Sequence, residues 1–463
     1  MKGKSCAFPT STTGSTGASN TARQVCPRST ENVRQLSGRY CRVDPPIERY
    51  MTALFPDTSP PRSILVICTG RIGDVLLSTP AVRSLKARWP DAQIDMLVFE
   101  GAGEVLENNP DIRCVICITP HAKLTERVAD VRKIWRKYDL GCSLRTSSLA
   151  SFLCWTAGRK RIGIVAPARR SWIKKLMLNR FVIERGHSVH TVESGVSLMA
   201  LLGITPRFEV VPPAVLNQPA QLEQLDSLLA PTNGKPYAVV HMYPRYTYKM
   251  WHIEGWIAVL AFLHARGYAV VLTGGPAAAE VTYARDICER TGIKAINLVG
   301  KLSLAATAEV IRRARLFIGP DTSASHIAAA TGTPTLALFG PSNPVRWGPW
   351  PKGWTGSSPW LTSGSGQRGN VYLLQGTGAC VPCKLEGCDA HVDSWSDCLL
   401  TLDANRIIDV ATELLGIAPN IAPDRRRRIP IVAQPFAGAR LEMADVGNRP
   451  GQANPDPSLE IPL

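Results

Sequence analysis

Long apolar runs are missing from this sequence. Nowhere in its 463 residues do about 18 apolar residues follow one another, the length a membrane-spanning helix needs. The first residues, "MKGKSCAFPTSTTGSTGASNTARQ", have no apolar core of the kind a secretory signal carries, so the expectation is a cytoplasmic protein. No repeat of solenoid length is visible. No strand-linked G-x-G-x-x-G with a following acid occurs, which speaks against a dinucleotide oxidoreductase. Acidic residues are also in short supply: 37 Asp and Glu stand against 53 Lys and Arg, a formal charge of +16. That imbalance favours a polyanionic partner: nucleic acid, an anionic membrane face or a phosphorylated substrate. Neither an RNP aromatic set nor a zinc-finger helix accompanies the charge, so nucleic acid is not expected. A disulfide framework is not expected either, because the 13 cysteines are odd in number and lie in a long chain without a secretory signal.

What is present is a strand–helix alternation. With 45% hydrophobic and 19% charged residues, the composition suits a globular protein, and the length suits two domains with appendages. Residues 1–60 are rich in Ser, Thr, Pro and Gly and read as a mostly disordered extension with a short ordered piece at 47–55; residues 419–463 read as a disordered tail. From residue 63 the β-rich runs "SILVICT", "IDMLVF", "IRCVICI" and "YDLGCSL" alternate with helical patterns, "GEVLENN" among them. The order restarts with "YAVVHM", "YAVVLTGG", "AINLVG", "RLFIGPD" and "PTLALFG". Such alternation gives parallel sheets covered by helices on both faces. The fold class is therefore α/β, with two doubly wound Rossmann-like domains over 61–212 and 213–418. Ligands bind such sheets beyond the carboxyl ends of their strands, so the site is expected in the cleft between the domains.

The chemistry gathers at strand ends. After "SILVIC" comes Thr69-Gly70-Arg71-Ile72-Gly73-Asp74, a glycine loop ending in a carboxylate at a helix start. Asp74 is either a helix cap or a general base, two compatible roles, and Pro80 in the following helix predicts a kink or a late start. In the second half, Asp321, Thr322 and Ser323 are natural caps for the helix that holds His326, and a helix start suits a pyrophosphate. Lys249 lies in the polar loop after "YAVVHM", in reach of a phosphate as a point charge. Glu280, beyond Gly274-Gly275-Pro276, suits a ribose hydroxyl pair or simply the helix dipole. Trp251 and Trp256 are expected to staple a helix to the core. Residues 158–187 hold nine Lys and Arg against the single acid Glu184, either a solvated helix face or an anion-binding surface. Cys380, Cys383, Cys388 and Cys398 have a spacing compatible with a closed zinc shell, with reduced packing thiols or with an occasional disulfide.

Taken in order, "GDVLLSTPAVRSLK", "KMWHIEGW", "LTGGP", "LVGKLSL", "FIGPDTSASHIAAATGTPTLALFGPSNP" and "CVPCKLEGC…CLLTL" resemble glycosyltransferase family 9, the ADP-heptose–lipopolysaccharide heptosyltransferases, from residue 62 to about 416. The resemblance implies a GT-B architecture and metal-independent, inverting transfer of heptose from ADP-heptose to a lipid-anchored lipopolysaccharide inner core, at the inner-membrane surface. It implies Asp74 as general base, with Lys249, Asp321, Thr322 and His326 in the nucleotide-phosphate region and Glu280 at the ribose. The family usually has Gly where this chain has Ser323, which bears on how closely the backbone approaches a phosphate. Arg169, Arg170, Lys174 and Lys175 then become expected contacts to acceptor carboxylates and phosphates. No cofactor is expected for catalysis, and structural zinc is the one metal that the cysteine spacing suits. The rival readings are a family-9-like enzyme with another nucleotide sugar or acceptor, and a non-catalytic basic nucleotide-binding protein.

Overall fold

The computed structural model describes residues 54–167, 171–215 and 219–417. The expected N- and C-terminal extensions therefore fall almost entirely outside the described residues, as does most of the ordered piece at 47–55. Two parallel sheets form, one after the other along the chain.

The first unit runs β1 (Ser63–Cys68), α1 (Ile72–Arg88), β2 (Gln93–Phe99), β3 (Cys114–Ile118), α2 (Leu124–Ile134), β4 (Tyr138–Ser143), α3 (Ser148–Ala157), β5 (Gly158–Val165), α4 (Trp172–Met177), β6 (Arg180–Ile183) and α5 (Thr191–Val196). Its six strands pair in parallel in the order β3-β2-β1-β4-β5-β6. The order reverses direction between β1 and β4, which opens a crevice beyond their carboxyl ends. Strand "SILVIC" is buried on both faces, which explains its unbroken apolar run. "GEVLENN" proves to be only a 3-10 turn over Gly103–Leu106.

Pro80 neither delays nor divides α1, which starts at Ile72 and continues to Arg88. Proline leaves the Leu76 carbonyl without its helical donor. The neighbouring Thr79 hydroxyl donates to that carbonyl at 2.7 Å, so the vacancy is filled locally. The basic stretch 158–187 is not one helix face, since it divides into β5, α4 and β6.

The second unit runs α6 (Pro219–Leu229), β7 (Tyr237–His241), α7 (Ile253–Ala265), β8 (Ala269–Thr273), α8 (Ala278–Thr291), β9 (Ile296–Asn297), α9 (Leu304–Arg312), β10 (Leu316–Pro320), α10 (Ser323–Thr331), β11 (Thr335–Phe339), α11 (Pro344–Trp347), β12 (Gly366–Arg368), β13 (Val371–Gln375), α12 (Asp397–Leu400) and α13 (Ala404–Leu414). The sheet order is β12-β13-β11-β10-β7-β8-β9, parallel except for the β12–β13 pair. Its direction reverses between β7 and β10. Trp251 and Trp256 are fully buried and meet edge to face at 4.9 Å, stapling α7 as its sequence suggests. α10 ends at Gly332, whose φ of +89° closes the helix in a left-handed turn that a side chain would strain.

The units share a core. One buried cluster runs from Val75 and Val82 of α1 through to Ala324 and Ile327 of α10, so the two switch points are pressed together.

Candidate active site

Asp74 occupies the first turn of α1, at the switch point of the first sheet. One carboxylate oxygen accepts from the Arg71 backbone N–H at 3.0 Å, which closes the helix start. The other accepts from Arg145 at 3.2 Å, across 71 residues of sequence. Arg145 follows β4 as Asp74 follows β1, and these strands are neighbours. Asp74 raises the Arg145 pKa further, so the guanidinium stays charged beside it. The sequence reading missed Arg145; its only signal is an arginine just past a strand end in "SLRTSS". Gly70 leaves space for this carboxylate: a Cβ there would lie 2.7 Å from the Asp74 Cβ and 2.8 Å from its Oδ2.

The second sheet contributes a denser set. Lys249 follows β7 and pairs with Asp321, after β10, at 2.6 Å. Burial would raise the Asp321 pKa, but the Lys249 ammonium, His326 and a hydrogen bond from Ser342 hold it below the usual carboxylate range. Thr322 is the N-cap of α10 yet makes no side-chain cap bond, and its buried hydroxyl has no partner. Ser323 is the first helical residue. His326, one turn inside, is buried; its Nδ1 also lacks a partner. Burial lowers the His326 pKa to about 4, so the ring is neutral near pH 7. Two unpaired buried polar atoms at a helix start are the kind of donors an anion recruits. Glu280 lies apart from this group and accepts from the Gly275 N–H at 2.5 Å, with burial raising its pKa. A Cβ on Gly275 would come within 2.8 Å of its Oε1, so the double glycine makes room for this acid.

These halves meet. A Cβ on Gly73 would lie 3.4 Å from the His326 ring, and the Asp74 charge is felt at that imidazole. Arg71 stacks over Tyr246 with 4.9 Å to the ring centre. The loop that carries Asp74 thus meets the second unit at Gly73, and Asp74 itself is nearly buried (9% exposed), its carboxylate held by Arg71 and Arg145. Beside the site, His190 Nε2 donates to the Gly348 carbonyl at 2.7 Å, Arg346 pairs with Glu184 at 2.5 Å, and the Glu193 carboxylate accepts from Ser358 N–H. These contacts lock the loop after β11 onto the first unit.

A family model for glycosyltransferase family 9 (heptosyltransferase) matches residues 128–361. The chain belongs to glycosyltransferase family 9. It is 32% identical over 289 residues to lipopolysaccharide heptosyltransferase 3 of Escherichia coli, an alignment spanning 60% of this chain and 83% of that one. A family 9 glycosyl transferase from Veillonella parvula shares the fold with a TM-score of 0.62 at 20% identity, covering 76% of this chain and 97% of the other. An Escherichia coli heptosyltransferase solved with ADP-2-deoxy-2-fluoro heptose aligns with a TM-score of 0.53 at 21% identity, covering 76% and 99%. The two-sheet architecture is thus that of the GT-B heptosyltransferases, and this family 9 chain is a glycosyltransferase.

The other expected residues of this glycosyltransferase divide. Arg169 and Arg170 lie outside the described residues. Lys174 is no solvent-facing charge: it is buried, and its Nζ donates to the Thr146 carbonyl at 3.1 Å, one residue from Arg145. Lys175 is half-buried, with its ammonium 5.3 Å from the centre of the Phe181 ring. Cys380, Cys383, Cys388 and Cys398 line one cavity, and burial together with the neighbouring thiols pushes Cys398 up to about 11. Among the described residues, however, no three His, Cys, Asp or Glu side chains converge closely enough to hold a metal ion, so the cavity as it stands does not form the zinc shell that the spacing suits. No helix among the described residues is long and apolar enough to cross a membrane.

Proposed function

We propose that the chain transfers heptose from ADP-heptose to the lipopolysaccharide inner core with inversion, using Asp74 as general base. The observation that carries this reading is the confrontation of Gly73-Asp74 with His326 across the junction of the two units. An acceptor hydroxyl attacks the anomeric carbon while the bond from that carbon to the ADP phosphate oxygen breaks. The hydroxyl proton passes to Asp74, and ADP leaves with the bonding electron pair. Arg145 positions the carboxylate and keeps it from turning away. Lys249, the free N–H groups of α10 and the unpartnered Thr322 hydroxyl and His326 ring supply donors for the developing phosphate charge. Glu280 takes the ribose hydroxyls.

Relatives act on lipopolysaccharide by name, and the basic charge of this chain suits a lipid-anchored, anionic acceptor at the membrane surface. The enzyme is then peripheral to the inner membrane on its cytoplasmic side.

The test is transfer from ADP-heptose to a set of truncated core acceptors, with product stereochemistry read by NMR. General-base contributions run to about 10²–10⁴-fold, so Asp74→Asn should lose that much kcat while keeping ADP affinity. Near-normal turnover by the variant would refute the assignment.

A further inference from the structure

One side of the first sheet carries an outer surface at odds with a water-facing layer. α2, α3 and α4 line up there, α2 against α3 and α3 against α4. The inner sides of α2 and α3 (Ile134, Ala150, Leu153), with Leu178 just past α4, fill a cluster with Leu65, Ile67 and Val165 of the sheet. On the outer side of α2, Leu124 is 81% exposed and Trp135, just past the helix end, 51%; Val128 and Arg132 continue the same stripe at spacings of four, four and three residues. Trp155 of α3 is also exposed. On α4, Trp172 and Leu176 are 60% and 73% exposed, with Ile173 between them. Among the described residues, the remaining exposed large apolar side chains, Val281, Leu361, Leu385 and Trp395, belong to the second unit.

Around this apolar face the charge has one dominant sign. Lys123, Arg132, Arg136 and Lys137 are exposed on or beside α2, and Lys133 and Arg159 are exposed but paired with Asp130 and Asp139. The acids are committed: Glu126 caps α2 through the Lys123 N–H, and Asp130 is buried between Arg127 and Lys133. A single protein partner would have to match apolar patches on three helices at once. A bilayer needs only apolar and aromatic side chains with cations beside them, and this surface has both, its exposed cations lying along α2 and at Arg159. α4 also touches the site: Lys174 donates to the Thr146 carbonyl, next to the arginine that holds Asp74.

We propose that the outer face of α2–α3–α4 is the surface by which the enzyme docks on an anionic lipid bilayer, with Trp172 and Leu176 inserted and α4 bringing the active site to the membrane. This deepens the membrane reading above and rests on it. Docking through α4 presents the crevice at headgroup level, where a lipid-anchored acceptor's sugar stands.

The experiment is co-sedimentation of the full chain with vesicles of phosphatidylethanolamine and phosphatidylglycerol, and with neutral phosphatidylcholine vesicles. Both tryptophan and leucine side chains point outward, so the double variant Trp172→Ser, Leu176→Ser leaves the core untouched. It is expected to lower the vesicle partition coefficient about tenfold or more and to transfer heptose to a lipid-free core oligosaccharide at the parent rate. A second double variant, Leu124→Ser with Trp135→Ser, should weaken binding as well. Partitioning of both variants equal to the parent overturns the proposal. So does a parent dimer that the variants convert to monomers with vesicle binding unchanged, since the face would then join two copies. Absence of transfer to the lipid-free acceptor by the parent would instead strike the functional reading, leaving the vesicle measurement to judge the surface.

Discussion

Arg145 donates to the Asp74 carboxylate at 3.2 Å, joining the ends of two adjacent parallel strands where the first sheet reverses its order. Asp74 is nearly buried and Arg145 is about a third exposed. Breaking a fully buried pair costs about 3–5 kcal/mol, and water reaching Arg145 reduces that to about 2 kcal/mol. Arg145→Gln should therefore lower stability by that order in urea unfolding. As a positioning residue it should also cut kcat while leaving the donor KM near the parent value. A purely structural role would leave kcat intact under folding conditions.

Gly70 tests the same carboxylate without removing it. Its φ is not left-handed; the glycine is required because a Cβ would overlap Asp74 at 2.7 Å. Gly70→Ala should push the carboxylate aside, and a displacement of about 1 Å can cost on the order of 10²-fold in rate. Initial rates and ADP titration separate the two effects: turnover should fall and ADP affinity should stay.

Lys249 has two attachments, the Asp321 carboxylate and, in the proposed reaction, the ADP phosphates. Lys249→Met leaves Asp321 buried and unpaired, so both stability and ADP affinity should drop, stability by roughly 3 kcal/mol. Adding Asp321→Asn should recover most of the stability and none of the ADP affinity. Calorimetric titration of the double variant decides it: parent-like ADP binding would show that Lys249 serves only the ion pair.

His190 gives the protein an acid limit. Its Nε2–H donates to Gly348 O and its Nδ1 accepts from Val192 N–H, so both nitrogens are used by the neutral ring. Burial lowers its pKa from 6.5 to about 3. The unfolded chain takes up a proton first as pH falls, so stability should be full above pH 6.5 and decline from there towards pH 3, by several kcal/mol in all. His190→Gln should make the fall in urea midpoint between pH 7 and 4 visibly shallower. An unchanged slope would contradict a neutral, buried ring.

The sequence by itself determined the alternation of strands and helices, the two successive sheets, and the strand-end loops that carry Asp74, Lys249 and His326. These follow from local periodicity and from turn residues, which act within a few positions of the chain. It could not deliver the Arg145–Asp74 pair, because two residues 71 apart meet only once strand order puts β4 beside β1. Nor could it say that Lys174 turns inward while Trp172 and Leu176 face out, since a short amphipathic stretch has no direction until a sheet supplies its core. The closing of α1 on α10, which sets Gly73 against His326, was decided by tertiary structure alone: both helices are apolar on the contacting side, and burying those sides together fixes how the units meet.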